Sequence, residues 1–125
     1  MADHARMRET VNQYVAGFTA ADADAIVRLF ADDATVEDPY GSEERRGIDA
    51  IREFYEMAVG SGAKLRLDGP IRTAGDTAAF AFSIPWPGDE PHRLHIIDTF
   101  RFDDDGKVVE MRAFWSADSV LPDEG

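Results

Sequence analysis

Cysteine is absent from the 125-residue sequence, which excludes both a disulfide framework and a zinc site built from thiolates. No apolar stretch approaches the roughly 18 residues of a membrane-spanning helix, and the sequence begins without the pattern of a signal peptide. Positive charge is scarce, because 13 basic residues face 25 acidic ones, for a formal net charge of −12. Such a protein repels phosphate backbones and anionic lipids. We therefore expect no nucleic-acid partner, no membrane association and a cytoplasmic location.

The composition is otherwise that of one ordinary folded domain. The length is close to the commonest domain size, and the hydrophobic share of 44% is typical of globular proteins. The sequence has no internal repeat, no low-complexity segment and no linker. We predict a single domain over residues 1–125.

Hydrophobic periodicity divides the chain into a helical half and a strand-rich half. The helical pattern covers about residues 3–19, 22–30 and 48–59, with Asp22 capping the second helix and Gly60 ending the third. Strand patterns cover about residues 34–38, 63–68, 70–74, 77–86, 91–103 and 107–117. Asp105-Gly106 predicts an antiparallel hairpin between the last two. The expected fold is α+β, with three N-terminal helices packed on one face of a curved, mostly antiparallel mixed sheet.

The most unusual residue of the sequence is Asp98, a carboxylate within an apolar row. Residues 94–102 alternate with a period of two, so one face of that strand carries Leu94, Ile96, Asp98, Phe100 and Phe102. An ionised carboxylate on an apolar face needs a partner, or else it holds its proton. A carboxylic acid that stays neutral near pH 7 is a hydrogen-bond donor.

Two further polar groups share this inward orientation. Asp38 follows Ala34 and Val36 on the apolar face of the first strand, and Tyr14 lies inside the apolar stripe of the first helix. Alone, a core tyrosine is usually packing, and an aspartate before a proline is usually a turn residue. Together with Asp98 they predict one site formed by three elements.

Two carboxyls and a phenol indicate proton transfer at a carbon beside a carbonyl. An ionised carboxylate takes the proton, while the other acid and the phenol hydrogen-bond to the oxygen where charge develops. Asp38, at a strand end, is the better candidate for the base, and Asp98, in mid-strand, for the neutral donor.

Other catalytic patterns are missing. The three histidines, His4, His92 and His95, lack a metal-ligand spacing, so we expect no metal. No serine lies in a Gly-x-Ser-x-Gly turn, and no glycine-rich phosphate loop occurs.

Several segments carry a resemblance that follows the chain in order over nearly its whole length. They are Tyr14, Ala31–Pro39 followed by Gly41, Ile51–Tyr55, Ile97–Phe102, and Gly106–Val109 followed by Met111–Ala113. Together they resemble bacterial ketosteroid isomerase, which has a conical fold shared with nuclear transport factor 2-like proteins. The segment Val36–Pro39 alone is common to broader relatives, whereas Tyr14 and Asp98 make the resemblance specific.

The resemblance implies a conical barrel with a deep apolar pocket that converts 3-oxo-Δ5-steroids to 3-oxo-Δ4-steroids. It implies a homodimer that uses no cofactor and no metal. Asp38 would carry a proton from C4 to C6 through a dienolate, while Tyr14 and protonated Asp98 form the oxyanion hole. The neutral second acid is a property of that family, so this role is inherited from the resemblance.

Two supporting residues come from the resemblance, and a third, Met111, comes from strand parity. Tyr55 matches a tyrosine that hydrogen-bonds to the catalytic phenol, and Trp115 matches a tryptophan that supports the base. Met111 and Trp115 share strand parity with Val109 and Ala113 and are expected to face the pocket.

Two other functions stay open from the sequence alone. One is a polyketide cyclase or dehydratase of the same fold, although such dehydratases tend to pair a histidine with an acid, and no histidine faces inward here. The other is a non-enzymatic module that binds an apolar ligand, which leaves Asp98 unexplained. Pro85 and Pro87 depart from the smoother strand of the relatives and are expected to bend or end pairing there.

Overall fold

The computed structural model describes residues 3–123, and these contain three α-helices, eight strands and one short 3₁₀ turn. The helices are α1 (His4–Thr19), α2 (Ala23–Val27) and α3 (Ile48–Gly60). The strands are β1 (Phe30–Glu37), β2 (Arg45–Arg46), β3 (Arg66–Leu67), β4 (Arg72–Ala74), β5 (Thr77–Trp86), β6 (His92–Phe102), β7 (Val108–Phe114) and β8 (Val120–Pro122). The predicted α+β class is confirmed.

The first two helices begin where side chains cap free backbone N–H groups. The carboxylate of Asp3 accepts a hydrogen bond from the Arg6 backbone, and that of Asp22 caps α2 in the same way. The second helix is shorter than predicted, because Phe30 belongs to β1 and pairs there with Val108. The apolar face that the sequence predicted for the second helix therefore contains residues of both α2 and β1.

The strands form one sheet in the order β2-β1-β7-β6-β5-β3, with β4 beside β5 and β8 beside β6. The β1–β7 pair is parallel and the other pairs are antiparallel, so the sheet is mixed. The expected barrel is not closed, since the order runs from β2 to β3 and these terminal strands have only two residues each. The curved sheet remains open at both edges.

The β6–β7 hairpin is confirmed, with Gly106 at a φ of 80° in its turn. A register shift between Arg101 and Phe102 changes which side of the sheet the first side chains of β7 point to. As a result Val108 is fully buried, and Val109, which we predicted to face inward with Met111, is only half-buried.

The expectation that the prolines would disturb pairing is wrong for Pro85. Strand β5 continues through Pro85, which pairs with Arg93 of β6. On its other side β5 pairs with β3 only at Phe82 and Ser83, so Pro85 lies at an open edge where no N–H is needed. Pro87 follows the end of the strand.

The core lies between the helices and the inner face of the sheet, and aromatic rings from both layers meet around Tyr14. Four rings lie with centroids 5.0–6.1 Å from that of Tyr14 in edge-to-face contact: Phe18, Tyr55, Phe80 and Phe100. This geometry is the favourable one for aromatic pairs. Within residues 3–123, no helix has the length and apolar character needed to cross a membrane.

Candidate active site

Asp98 lies on the buried face of β6, as the alternation predicted. Its side chain is 1% exposed, and its backbone partners are Phe80 on β5 and Ala113 on β7. Neither carboxyl oxygen has a hydrogen-bond partner of standard geometry among residues 3–123. Since buried polar atoms are rarely left unpaired, this carboxyl has capacity to bind a ligand.

The surroundings of Asp98 favour its protonated form. Burial raises its pKa well above the usual range, and the nearby negative charge of Asp38 raises it further, while the Tyr14 hydroxyl partly opposes the rise. A protonated carboxyl donates through its O–H, so Asp98 can hydrogen-bond to an oxygen that gains negative charge.

Tyr14 reaches the same interior from α1. Its hydroxyl oxygen lies 3.0 Å from the hydroxyl oxygen of Tyr55 on α3, and both rings are buried. Burial, then Tyr55 and then Asp98 raise the pKa of Tyr14 well above its ordinary value. The phenol therefore keeps its proton. When Tyr55 donates to Tyr14, the proton of Tyr14 is free for a ligand.

Asp38 lies one residue beyond the end of β1 and is half-buried. The indole Nε1–H of Trp115 donates a 2.6 Å hydrogen bond to its carboxylate. Burial raises the pKa of Asp38, whereas the Trp115 hydrogen bond and the positive charge of Arg45 lower it. The ionised form of Asp38 is therefore stabilised by a nearby cation as well as a hydrogen-bond donor, whereas Asp98 has, among the described residues, only the Tyr14 hydroxyl to stabilise its ionised form.

Strand β7 separates the two carboxyl groups. Asp98 pairs with Ala113 on one side of β7, and Glu37 pairs with Arg112 on the other side. Because β1 and β7 are parallel, the next residue after Glu37, Asp38, lies opposite Ala113. At about 4.8 Å per strand, the backbones carrying the two carboxyls are about 10 Å apart. Ala113, which pairs with Asp98, lies between them and contributes only a methyl group.

The structure therefore brings Tyr14, Asp38 and Asp98 close enough to interact electrostatically. The charge of Asp38 raises the pKa of both other groups, and Asp98 also raises that of Tyr14. Met111 is fully buried two residues before Ala113, and Trp115 follows the end of β7. A cavity of about 660 Å³ lies elsewhere, between α1, α2 and residues 106–107, and none of the three groups lines it.

Two neighbours of this site were not anticipated. Phe80 faces Asp98 across the β5–β6 pair, and alternation within residues 77–86 could have placed it inward. Arg45 lies in β2, where two residues are too few to show any periodicity. No sequence signal marked Arg45 as a neighbour of Asp38.

Two carboxyl groups and a phenol between helices and one face of a curved sheet define a class, the small α+β domains with ionisable groups in their interior. Residues 11–111 match the SnoaL-like domain, and the chain belongs to that family. It is 36% identical to the steroid Delta-isomerase of Nocardioides simplex over 118 residues, which cover 94% of this chain and 95% of that protein. This match confirms the resemblance to ketosteroid isomerase.

Two other relatives are described by a different activity. The chain is 28% identical to the epoxide hydrolase LasB of Streptomyces lasalocidi, a match that covers 94% of this chain but 50% of that protein. The solved structure of the epoxide hydrolase/cyclase-like enzyme SalBIII, with a role in pyran ring formation in the polyether salinomycin, superposes with a TM-score of 0.87 at 28% identity. That match covers 98% of this chain and 99% of that chain. The relatives support an enzyme of this fold. Because their activities differ, the reaction has to be inferred from the residues of the site.

Proposed function

We propose that the protein is a steroid Δ5-isomerase, which moves the double bond of a 3-oxo-Δ5-steroid into conjugation with its ketone. The observation that carries the proposal is the buried Asp98 carboxyl, which has no hydrogen-bond partner of standard geometry within residues 3–123, beside a phenol and across β7 from a hydrogen-bonded carboxylate. The 36% identity to a steroid Delta-isomerase supports the same reaction.

In the proposed mechanism, one base moves one proton. The Asp38 carboxylate removes a proton from C4, and the electron pair released delocalises onto the 3-keto oxygen to form a dienolate. Tyr14 and neutral Asp98 donate hydrogen bonds to that oxygen and stabilise its charge. Asp38 then returns the proton to C6, which leaves the conjugated enone. The reaction needs neither cofactor nor metal, so we propose that the protein uses none.

Three other residues support these groups in the proposal. Tyr55 would orient the Tyr14 hydroxyl through their 3.0 Å contact, and Trp115 would hold the Asp38 carboxylate in place. Met111 would form part of the apolar surface against which a steroid packs.

Proton transfer by a positioned carboxylate contributes about 10²–10⁴-fold to the rate.

A direct assay tests the proposed function. We expect the purified protein to convert 5-androstene-3,17-dione to its conjugated isomer, because the three groups match the charge changes of that reaction. The ultraviolet absorbance of the conjugated enone measures the rate. The Asp38→Asn variant, purified in the same way, controls for a contaminating isomerase. A rate equal to the uncatalysed background would refute the isomerase.

The relatives described as epoxide hydrolases favour a second candidate, the opening of an epoxide. Asp38 would take a proton from an attacking hydroxyl group or water, and Asp98 would give its proton to the epoxide oxygen. In this reaction Asp98 must lose its proton, whereas in the isomerase it only donates a hydrogen bond. Turnover of a hydroxy-epoxide without turnover of the steroid would select the second candidate.

We also propose that the protein is a homodimer formed through the outer face of its sheet. Ile97 and Phe114 are paired across β6 and β7, and Tyr40 packs on Phe114 with ring centroids 5.5 Å apart. All three are more than 40% exposed, and such contiguous apolar patches mark association surfaces. A second copy of the same patch would cover them.

Sedimentation velocity tests this interface. Phe114→Glu is expected to shift the wild-type dimer to a monomer, because the association would bury an uncompensated charge. Met57→Glu is the matched control, since Met57 is an exposed apolar residue on α3 outside the patch, and it should leave the dimer intact. A monomeric wild type, or a dimeric Phe114→Glu variant, would contradict the proposal.

A further inference from the structure

Arg45 is a half-buried cation without a conventional partner. Its guanidinium carbon lies 4.6 Å from the centroid of the Phe54 ring on α3. Among residues 3–123 its side chain makes no ion pair and no hydrogen bond, whereas the adjacent Arg46 pairs with Glu44 at 2.8 Å. A guanidinium has five N–H donors, so packing on an aromatic face leaves most of its hydrogen-bonding capacity unused.

Strand register determines which face of the sheet each arginine occupies. Arg45 pairs with Val36 and Arg46 pairs with Thr35, and paired residues on antiparallel strands project to the same face. Val36 is fully buried, so Arg45 projects to the inner face and Arg46 to the outer one. Two residues after Val36 on that inner row comes Asp38.

We propose that Arg45 is a positioning residue that keeps Asp38 in its ionised, proton-accepting form by holding one uncompensated positive charge beside it. The Phe54 ring fixes the guanidinium through a cation–π contact, and no carboxylate of the described residues forms a direct ion pair with it, so its charge can act on Asp38 from a distance. The charge state of Asp38 does not depend on the reaction. Only the expected change in the pH dependence of kcat/KM rests on the proposed isomerase function.

The other groups around Asp38 do not replace this charge. Asp98 from β6, Tyr14 from α1 and Tyr55 from α3 interact with it electrostatically, and burial favours the neutral form of each. The indole of Trp115 donates a hydrogen bond but carries no net charge. Arg45 is thus the cation, among residues 3–123, that opposes the effect of burial on the pKa of Asp38.

Carbon-13 NMR titration of the Asp38 carboxyl tests this role without any substrate. Arg45→Met keeps an unbranched apolar side chain over Phe54 and removes the charge, so the pKa of Asp38 should shift upward. Arg46→Met, which removes a charge from the outer face of the same strand, should leave it unchanged. Arg45→Lys restores the charge without the planar guanidinium and should return the pKa toward the wild-type value.

The pH dependence of kcat/KM provides the kinetic readout. Activity falls at low pH as Asp38 becomes protonated, so Arg45→Met should move this acidic limb to higher pH and leave the high-pH plateau nearly unchanged. A loss of plateau activity with an unmoved limb is the result expected of a merely structural role, and it would overturn the proposal.

Further outcomes separate this role from the proposed function. An unmoved Asp38 titration in Arg45→Met, or an equal shift in Arg46→Met, would refute the role of Arg45. An upward shift in a protein with no isomerase activity would keep the role and refute the isomerase. If Arg45→Met fails to fold, Phe54→Leu offers a second route, because it loosens the guanidinium and should raise the pKa of Asp38 in the same direction.

Discussion

Replacing Asp38 with asparagine is expected to lower the kcat of steroid isomerisation by about 10²- to 10⁴-fold. The amide has nearly the size of the carboxylate and can still accept the Trp115 hydrogen bond, but it cannot take a proton from carbon. KM should change little, because an uncharged steroid gains little from the charge of Asp38 before reaction. Steady-state kinetics with 5-androstene-3,17-dione measures both constants.

A second aspartate on β1 provides the matched control for this substitution. Asp33 is exposed on the same strand, so Asp33→Asn removes an equal charge from the protein and should leave kcat unchanged. Circular dichroism should show that Asp38→Asn is folded, since burial already raises the pKa of Asp38 and a neutral side chain is tolerated there. Full activity in Asp38→Asn would exclude Asp38 as the base.

The burial of Asp98 could be predicted because it depends only on the two-residue period of a strand. Residues 94–102 contain enough repeats to assign a face to each side chain, and the structure follows that assignment. The contact between Asp38 and Trp115 is different. These residues are 77 positions apart, and they meet only because β1 and β7 pair in parallel, which no local pattern reveals.

The errors arose where tertiary pairing overrides a local pattern. Phe30 fits the apolar stripe of α2, but its pairing with Val108 places it in β1. The register shift beside Phe102 exchanged the orientations of Val108 and Val109. Short elements such as β2 and β8 exist only through their partners, and Arg45 was missed for that reason.

The two carboxyls show how one protein can hold an acid and a base of the same chemical type. Burial raises the pKa of both, but Asp38 is half-buried and retains an indole donor and a nearby cation. Asp98 is fully buried between Phe80 and Ala113, and its strongest charged neighbour is another acid. Environments that push two pKa values apart in this way assign the roles of base and donor.

Replacing Asp98 with leucine is expected to lower kcat by about 10²- to 10³-fold, the usual effect of losing one oxyanion donor. Leucine fills the site but donates no hydrogen bond. Asp98→Asn is the matched variant, because its amide keeps a donor at nearly the same position, and it should retain more activity than Asp98→Leu. Equal losses in the two variants would show that hydrogen-bond donation is not the role of Asp98.

The same residue should make the stability of the protein depend on pH. The pKa of Asp98 is raised well above its usual range in the folded protein, while the unfolded chain titrates at about 3.9. Folding therefore binds a proton, so the wild type loses about 1.4 kcal/mol of stability per pH unit between those two pKa values. Asp98→Asn is neutral throughout and lacks this loss.

Urea unfolding of both proteins at a series of pH values measures the difference. The stability of Asp98→Asn relative to the wild type should rise as the pH increases from about 4 toward neutrality, and it should level off once Asp98 ionises in the folded protein. A difference that stays constant over this range would mean that Asp98 folds in its ionised form. It could then not donate to the dienolate, and Tyr14 would be left as the oxyanion donor.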